Sequence, residues 1–176
     1  MTVLTGLLAG GDRRSIGNVP KVVRLVRRDP RRARELVAAL RHPDPVVRMR
    51  AADALEKASA ADPDLLRAHV RALLLLARRA TQQELRWHLA QMIPRMPLAL
   101  PQRRAAFAVL EAYLTDRSAI VRTFAMQALA DLAVVDRALR PRVARQLAHL
   151  TATGTPAMRA RGRRLLAELG WERGAR

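Results

Sequence analysis

The sequence predicts an all-α fold, a helical repeat array of about four helix pairs preceded by an N-terminal half unit. Three observations predict it. A segment recurs: Asp44-Pro45-Val46-Val47-Arg48-Met49-Arg50-Ala51-Ala52-Asp53-Ala54-Leu55 has later counterparts around Leu85-Arg86, Val121-Arg122 and Met158-Arg159. The four arginines stand at 48, 86, 122 and 159, in steps of 38, 36 and 37 residues, and each is followed by small or aliphatic residues at helical spacing. A fixed period of a few tens of residues marks stacked helical units. Composition agrees, because half of the 176 residues are apolar, mostly Ala, Leu and Val, and only 3% are aromatic, a set that favours close-packed helices over strands. Asp-Pro steps at 29–30, 44–45 and 62–63 punctuate the chain at helix-length intervals, as helix stop and start signals do.

Residues 1–17 read as a lead-in, loose by default. Its stretch Gly10 to Asn18 could instead wrap a phosphate with backbone N–H groups and with Arg13 and Arg14, although the Gly-Lys-Ser/Thr of a P-loop is missing. Asn18 is a plausible N-cap and Pro20 suits a first turn, so a helix is expected over 19–28, with Val22, Val23, Leu25 and Val26 as its apolar residues. Asp29-Pro30 stops it and starts 30–41, with Ala33, Leu36, Val37 and Leu40 inward. His42-Pro43-Asp44-Pro45 is a turn leading into 45–58. Asp62-Pro63-Asp64 caps 64–79, and Thr81 caps the helix of Arg86 and Trp87, which Pro94 and Pro97 end. Further helices are expected over 101–114, 117–134, 137–151 and 156–169. One repeat domain over 18–169 and a fraying tail over 170–176 complete the layout.

The net charge is +18, from 33 basic and 15 acidic residues, and only Lys21 and Lys57 among the basic ones are lysines. Such a surplus attracts polyanions at long range. It is uneven. No acid lies between Glu84 and Glu111 or between Asp136 and Glu168, while the second interval carries eight arginines; Arg24, Arg27, Arg28, Arg31, Arg32 and Arg34 crowd the N-terminal part. There is no Cys, which excludes disulfides and thiolate chemistry. Four scattered His residues show no ligand spacing, so neither a metal site nor a cofactor is expected. No apolar run approaches the ~18 residues of a membrane span, and the N-terminus lacks the pattern of a signal peptide. The expectation is a cytoplasmic protein without a membrane partner.

A turn with Asp-Pro, then Val-Arg, then Ala-Ala and Ala-Leu at helical spacing resembles the second helix of a HEAT repeat. The resemblance covers about 140 residues, with the strongest copies at 44–55 and 116–129, and lies nearest the HEAT-like (DNA alkylation repeat) proteins of bacteria. It implies a right-handed α-solenoid whose second helices line a concave face. It also implies that Arg48, Arg86, Arg122 and Arg159 form a structural ladder with turn aspartates such as Asp44 and Asp116.

At about 100° per residue, the arc opposite the apolar face of the second helices holds Met49, Asp53 and Glu56, then Trp87 and Gln91, then Thr123 and Gln127, then Ala160 and Arg164. Arg50, His88 and Arg161 flank it. The expected nucleic-acid-binding set is therefore Arg50, Trp87, His88, Gln91, Gln127, Arg161, Arg164, Arg13 and Arg14, with Trp87 stacking on a base. The expected function is non-enzymatic binding of nucleic acid, DNA more than RNA, through phosphate contacts that position without reading sequence. One alternative is a scaffold for an acidic protein. The other is a HEAT-like-repeat alkylpurine DNA glycosylase using Trp87, with Gln91 standing where that family has an aspartate and Asp53 as the substitute acid.

Overall fold

Among the described residues, ten α-helices joined by short 3-10 turns make up the chain, and there is no strand. The computed structural model describes residues 2–12 and 14–170, so Arg13 and most of the tail over 170–176 lie outside the described residues. The chain divides into two units, residues 1–99 and 100–176. No described helix is long and apolar enough to cross a membrane.

The first unit is built on α4 (Pro45–Ala61). Asp44 caps it by accepting the Val46 N–H at 2.8 Å, and Pro45 fills the first helical position, where no donor is needed. Val47, Ala51, Ala54, Leu55 and Ala58 are fully buried, but so are Ala52 and nearly so Met49 and Asp53. Helices α1 (Val3–Leu8), α2 (Val19–Arg28), α3 (Ala33–Ala39) and α6 (Gln83–Met92) all pack on it, so α4 is buried around most of its circumference, Arg50 and Asp53 included. Helix α5 (Val70–Arg79) completes the unit by packing on α6. In the second unit α8 (Ala119–Val135) is central, packed by α7 (Leu100–Tyr113), α9 (Arg140–Thr153) and α10 (Pro156–Glu168).

The helix starts differ from expectation in a consistent way. Asp29, Asp62 and Asp136 do cap, but each side chain accepts the N–H two residues on (Arg31, Asp64, Ala138). Each of these caps opens a 3-10 turn, over Pro30–Arg32, Pro63–His69 and Arg137–Leu139, and the α-helix begins only after it. The tight Asx turn favours i→i+3 bonding at the entry. For α6 the N-cap position is Gln82, not Thr81, and it makes no side-chain cap bond.

The lead-in is not loose. Thr2 caps α1 through the Thr5 N–H at 3.2 Å. Leu4 and Leu8, one turn apart, are fully buried against α2, α3 and α4, each contributing on the order of 1.5–3 kcal/mol. In the second unit Gly162 sits where α10 meets α9. A Cβ there would overlap the Thr151 hydroxyl, which explains a glycine where the recurring pattern has alanine.

Candidate functional site

Arg50 was expected on the flank of a binding surface, and the structure places it inside. It is 2% exposed and its guanidinium is saturated by backbone carbonyls of the lead-in. Nη1 donates to Leu8 O at 2.9 Å and to Gly10 O, Nη2 to Asp12 O at 3.1 Å, and Nε to Ser15 O at 3.0 Å. The loop therefore turns its carbonyls inward around a cation, the reverse of the N–H cradle that a phosphate needs. Gly10, Gly11 and Gly17 adopt positive φ, which glycine alone does without strain. Gly17 also passes so close that a Cβ would meet Arg50 Cζ at 3.0 Å. Arg14 remains exposed.

The arginine ladder takes another form. Arg48 does not pair with Asp44, whose carboxylate caps α4. Its Nη1 donates to His42 O at 2.7 Å and Pro43 O at 2.8 Å, and its Nε to Gln82 Oε1 at 2.9 Å. Gln82 in turn donates to Pro45 O at 2.9 Å, so the rung between the α4 and α6 starts is an amide. Arg86 repeats the backward reach, donating to Ala80 O at 2.7 Å. Asp116 accepts the Ser118 N–H at 2.8 Å. Arg122 Nε is buried without a hydrogen-bond partner, and Arg159 is exposed.

The arc expected to face outward on the second helices is half covered and much of it is tied up. Trp87 and Gln91 are half-buried, and the Gln91 amide donates to Trp87 O at 3.3 Å. Gln127 bridges Asp131 and Arg161, both at 2.8 Å. Arg164 pairs with Glu168 at 3.0 Å. Asp53 is 9% exposed and held by Lys57 Nζ at 2.8 Å; Glu56 is held by Arg95 at 2.7 Å.

One polar cluster does form there. Asp53 and Glu56, three residues apart on α4, share a face, and α6 lays His88 beside them: one ligand-capable atom from each of the three lies within 4.8 Å of the others. The His88 ring stacks obliquely beside Trp87, with centroids 5.6 Å apart. Burial pushes the His88 pKa down, against the opposing pull of the Asp53, Glu56 and Glu84 carboxylates, with Lys57 adding to the downward shift. Its Nδ1 is sealed from solvent and makes no hydrogen bond.

No family model matches this chain, and no curated protein does. Among solved structures, the chain is similar to a crystal structure described as an engineered protein, with a TM-score of 0.57 and 21% identity, covering 96% of this chain and 78% of that one. The likeness supports the all-helical fold and carries no function.

The unengaged basic charge sits elsewhere, mainly on first helices. On α2, Val19, Val22, Val23 and Val26 are buried while Lys21, Arg24, Arg27 and Arg28 are exposed, and the helix has no acid. Among the described residues none of these four makes an ion pair. In the second unit Arg104, Arg137, Arg145, Arg159 and Arg163 are exposed. The signal for α2 was present in the sequence: basic residues at 21, 24 and 28 in antiphase with valines at 19, 22, 23 and 26.

Proposed function

We propose that this chain is a non-enzymatic nucleic-acid-binding protein built from HEAT-like units of a right-handed α-solenoid, and that exposed arginines rather than the second-helix arc make its phosphate contacts. Support for the repeat reading comes from the 38, 36 and 37 residue steps and from the packing of α3 on α4, α5 on α6, α7 on α8 and α9 on α10. The observation that carries the function is α2. Its solvent face presents Lys21, Arg24 and Arg28 on successive turns, about 5.4 Å apart along the axis, with no carboxylate on the helix to compete for them.

Contacts of this kind hold the backbone and do not read bases. Binding is therefore expected to follow duplex shape, DNA more than RNA, in a cytoplasmic setting. No enzymatic step is proposed: the acid that a glycosylase reading needs, Asp53, is buried and bonded to Lys57, and Gln91 is a neutral amide. Gel shifts with duplex, branched and single-stranded DNA and with RNA over a salt series test the proposal. Binding that weakens steeply with salt is expected. Absence of binding to every nucleic acid at low salt overturns it and leaves an acidic protein as the partner.

A further inference from the structure

We propose that Asp53, Glu56 and His88 form a binding site for a divalent first-row transition-metal ion, Zn²⁺ being the probe of choice, at the seam between α4 and α6. The sequence shows only a carboxylate pair three residues apart and one remote His. The packing of α6 on α4 makes them a three-donor set with all ligand atoms within 4.8 Å. Donors bound to one such ion at about 2.0–2.2 Å lie roughly 3–4 Å from each other. Side-chain adjustments of about 1 Å close the set.

Two features point to an ion rather than to an incidental acidic patch. The first is the imidazole. A buried nitrogen without a hydrogen-bond partner is costly, and His88 Nδ1 is such an atom; an ion coordinated through Nδ1 gives that atom the partner that the described residues do not supply. The second is the charge already gathered there. Lys57 and Arg95 each hold one of the two carboxylates, so both acids already lie against a cation and an ion has to displace the more exposed of the two. Lys57 is 46% exposed and can withdraw into water. Arg95 also donates to Glu56 O at 3.0 Å and is fixed enough to remain as an outer partner orienting Glu56, a common arrangement around ligating carboxylates.

One imidazole with two carboxylates suits Zn²⁺, Fe²⁺, Mn²⁺ and their neighbours better than Ca²⁺ or Mg²⁺. Three protein donors leave at least one position for water, as in open rather than closed zinc sites. The half-buried state of Glu56, Trp87 and His88 leaves that position a route to solvent. The site is independent of the polyanion reading.

Equilibrium dialysis of chelator-stripped full-length protein against ZnCl₂, with metal counted by atomic emission, tests it. One Zn²⁺ per chain is expected, with a raised melting temperature, and both are lost in His88→Gln and in Glu56→Gln but kept in His149→Gln. Lys57→Gln, which removes the competing cation, is expected to bind more tightly than the parent. No stoichiometric ion in the parent, or full retention in His88→Gln, overturns the site. Should the ligand variants fail to fold, Lys57→Gln decides: unchanged or weaker binding there overturns it.

Discussion

Replacing Arg50 by methionine removes the donor shared by the carbonyls of Leu8, Gly10, Asp12 and Ser15 while keeping much of the side-chain volume. The loop then has to turn those groups to water or leave them unsatisfied. The expected loss is about 2–4 kcal/mol in urea unfolding, since hydrogen bonds to a charged group contribute roughly 1.5–3 kcal/mol and the freed carbonyls partly rehydrate. A change under about 0.5 kcal/mol, the usual scatter of a surface substitution, would show that the loop holds itself. The sequence could not show this role. Position 50 lies two residues beyond the recurring arginine, on the flank of the expected outer arc, and only the folding of the lead-in back over α4 converts it from a surface charge to an interior one. Asp53 and Trp87 depart from expectation for the same reason, because neighbouring helices cover more of each second helix than a single-helix wheel can reveal.

Among the elements, α2 was legible in its bounds, from its Pro20 start to its Asp29 stop, because its valines and basic residues alternate with a clean helical period; Asn18 holds the N-cap position but makes no side-chain cap bond, its amide donating to Leu7 O at 3.3 Å instead. Helices α3, α5 and α9 were legible in place but not in onset, since aspartate capping of a 3-10 turn leaves the same residue signal as capping of an α-helix. Helix α1 was missed because six residues, with Gly6 among them and Gly10-Gly11 just beyond, are too few to show a period. Two predictions belong to this scale. Arg32 donates to Glu35 at 2.9 Å, and that hydrogen bond, ahead of the opposing effect of burial, holds the Glu35 carboxyl below its ordinary 4.5. Its stabilising contribution is thus complete above 4.5 and is lost as pH falls through the lower folded value. Glu35→Gln should lower stability at neutral pH, leave it little changed below the folded value, and so flatten the acid limb of a stability–pH curve; an unaltered acid limb would discount the pair. At the α9–α10 contact, Gly162→Ala gains helix propensity but forces Thr151 aside. Overpacking costs roughly 1–3 kcal/mol, so a lowered melting temperature is expected by calorimetry, and an increase would mean that the two helices part freely.

For the molecule as a whole, both units carry a basic surplus: nineteen basic against nine acidic residues in the first, fourteen against six in the second. The total was plain from composition, and it is what suggests a polyanion as partner. The distribution was not, because a charge is useful only where no neighbour engages it. Arg50, Arg95, Arg161 and Arg164 are each engaged, whereas Lys21, Arg24 and Arg28 stand clear on α2. Phosphate binding by α2 therefore falls to those free charges, and salt titration counts them. Each phosphate neutralised on B-DNA contributes about −0.9 to the slope of log affinity against log salt. The decisive measurement is that slope for duplex DNA, by fluorescence anisotropy, in the parent chain and in Lys21→Gln/Arg24→Gln/Arg28→Gln. A steep parental slope that falls in magnitude by about 2–3 in the triple variant is the predicted result; a triple variant with the parent's slope and affinity would contradict the account.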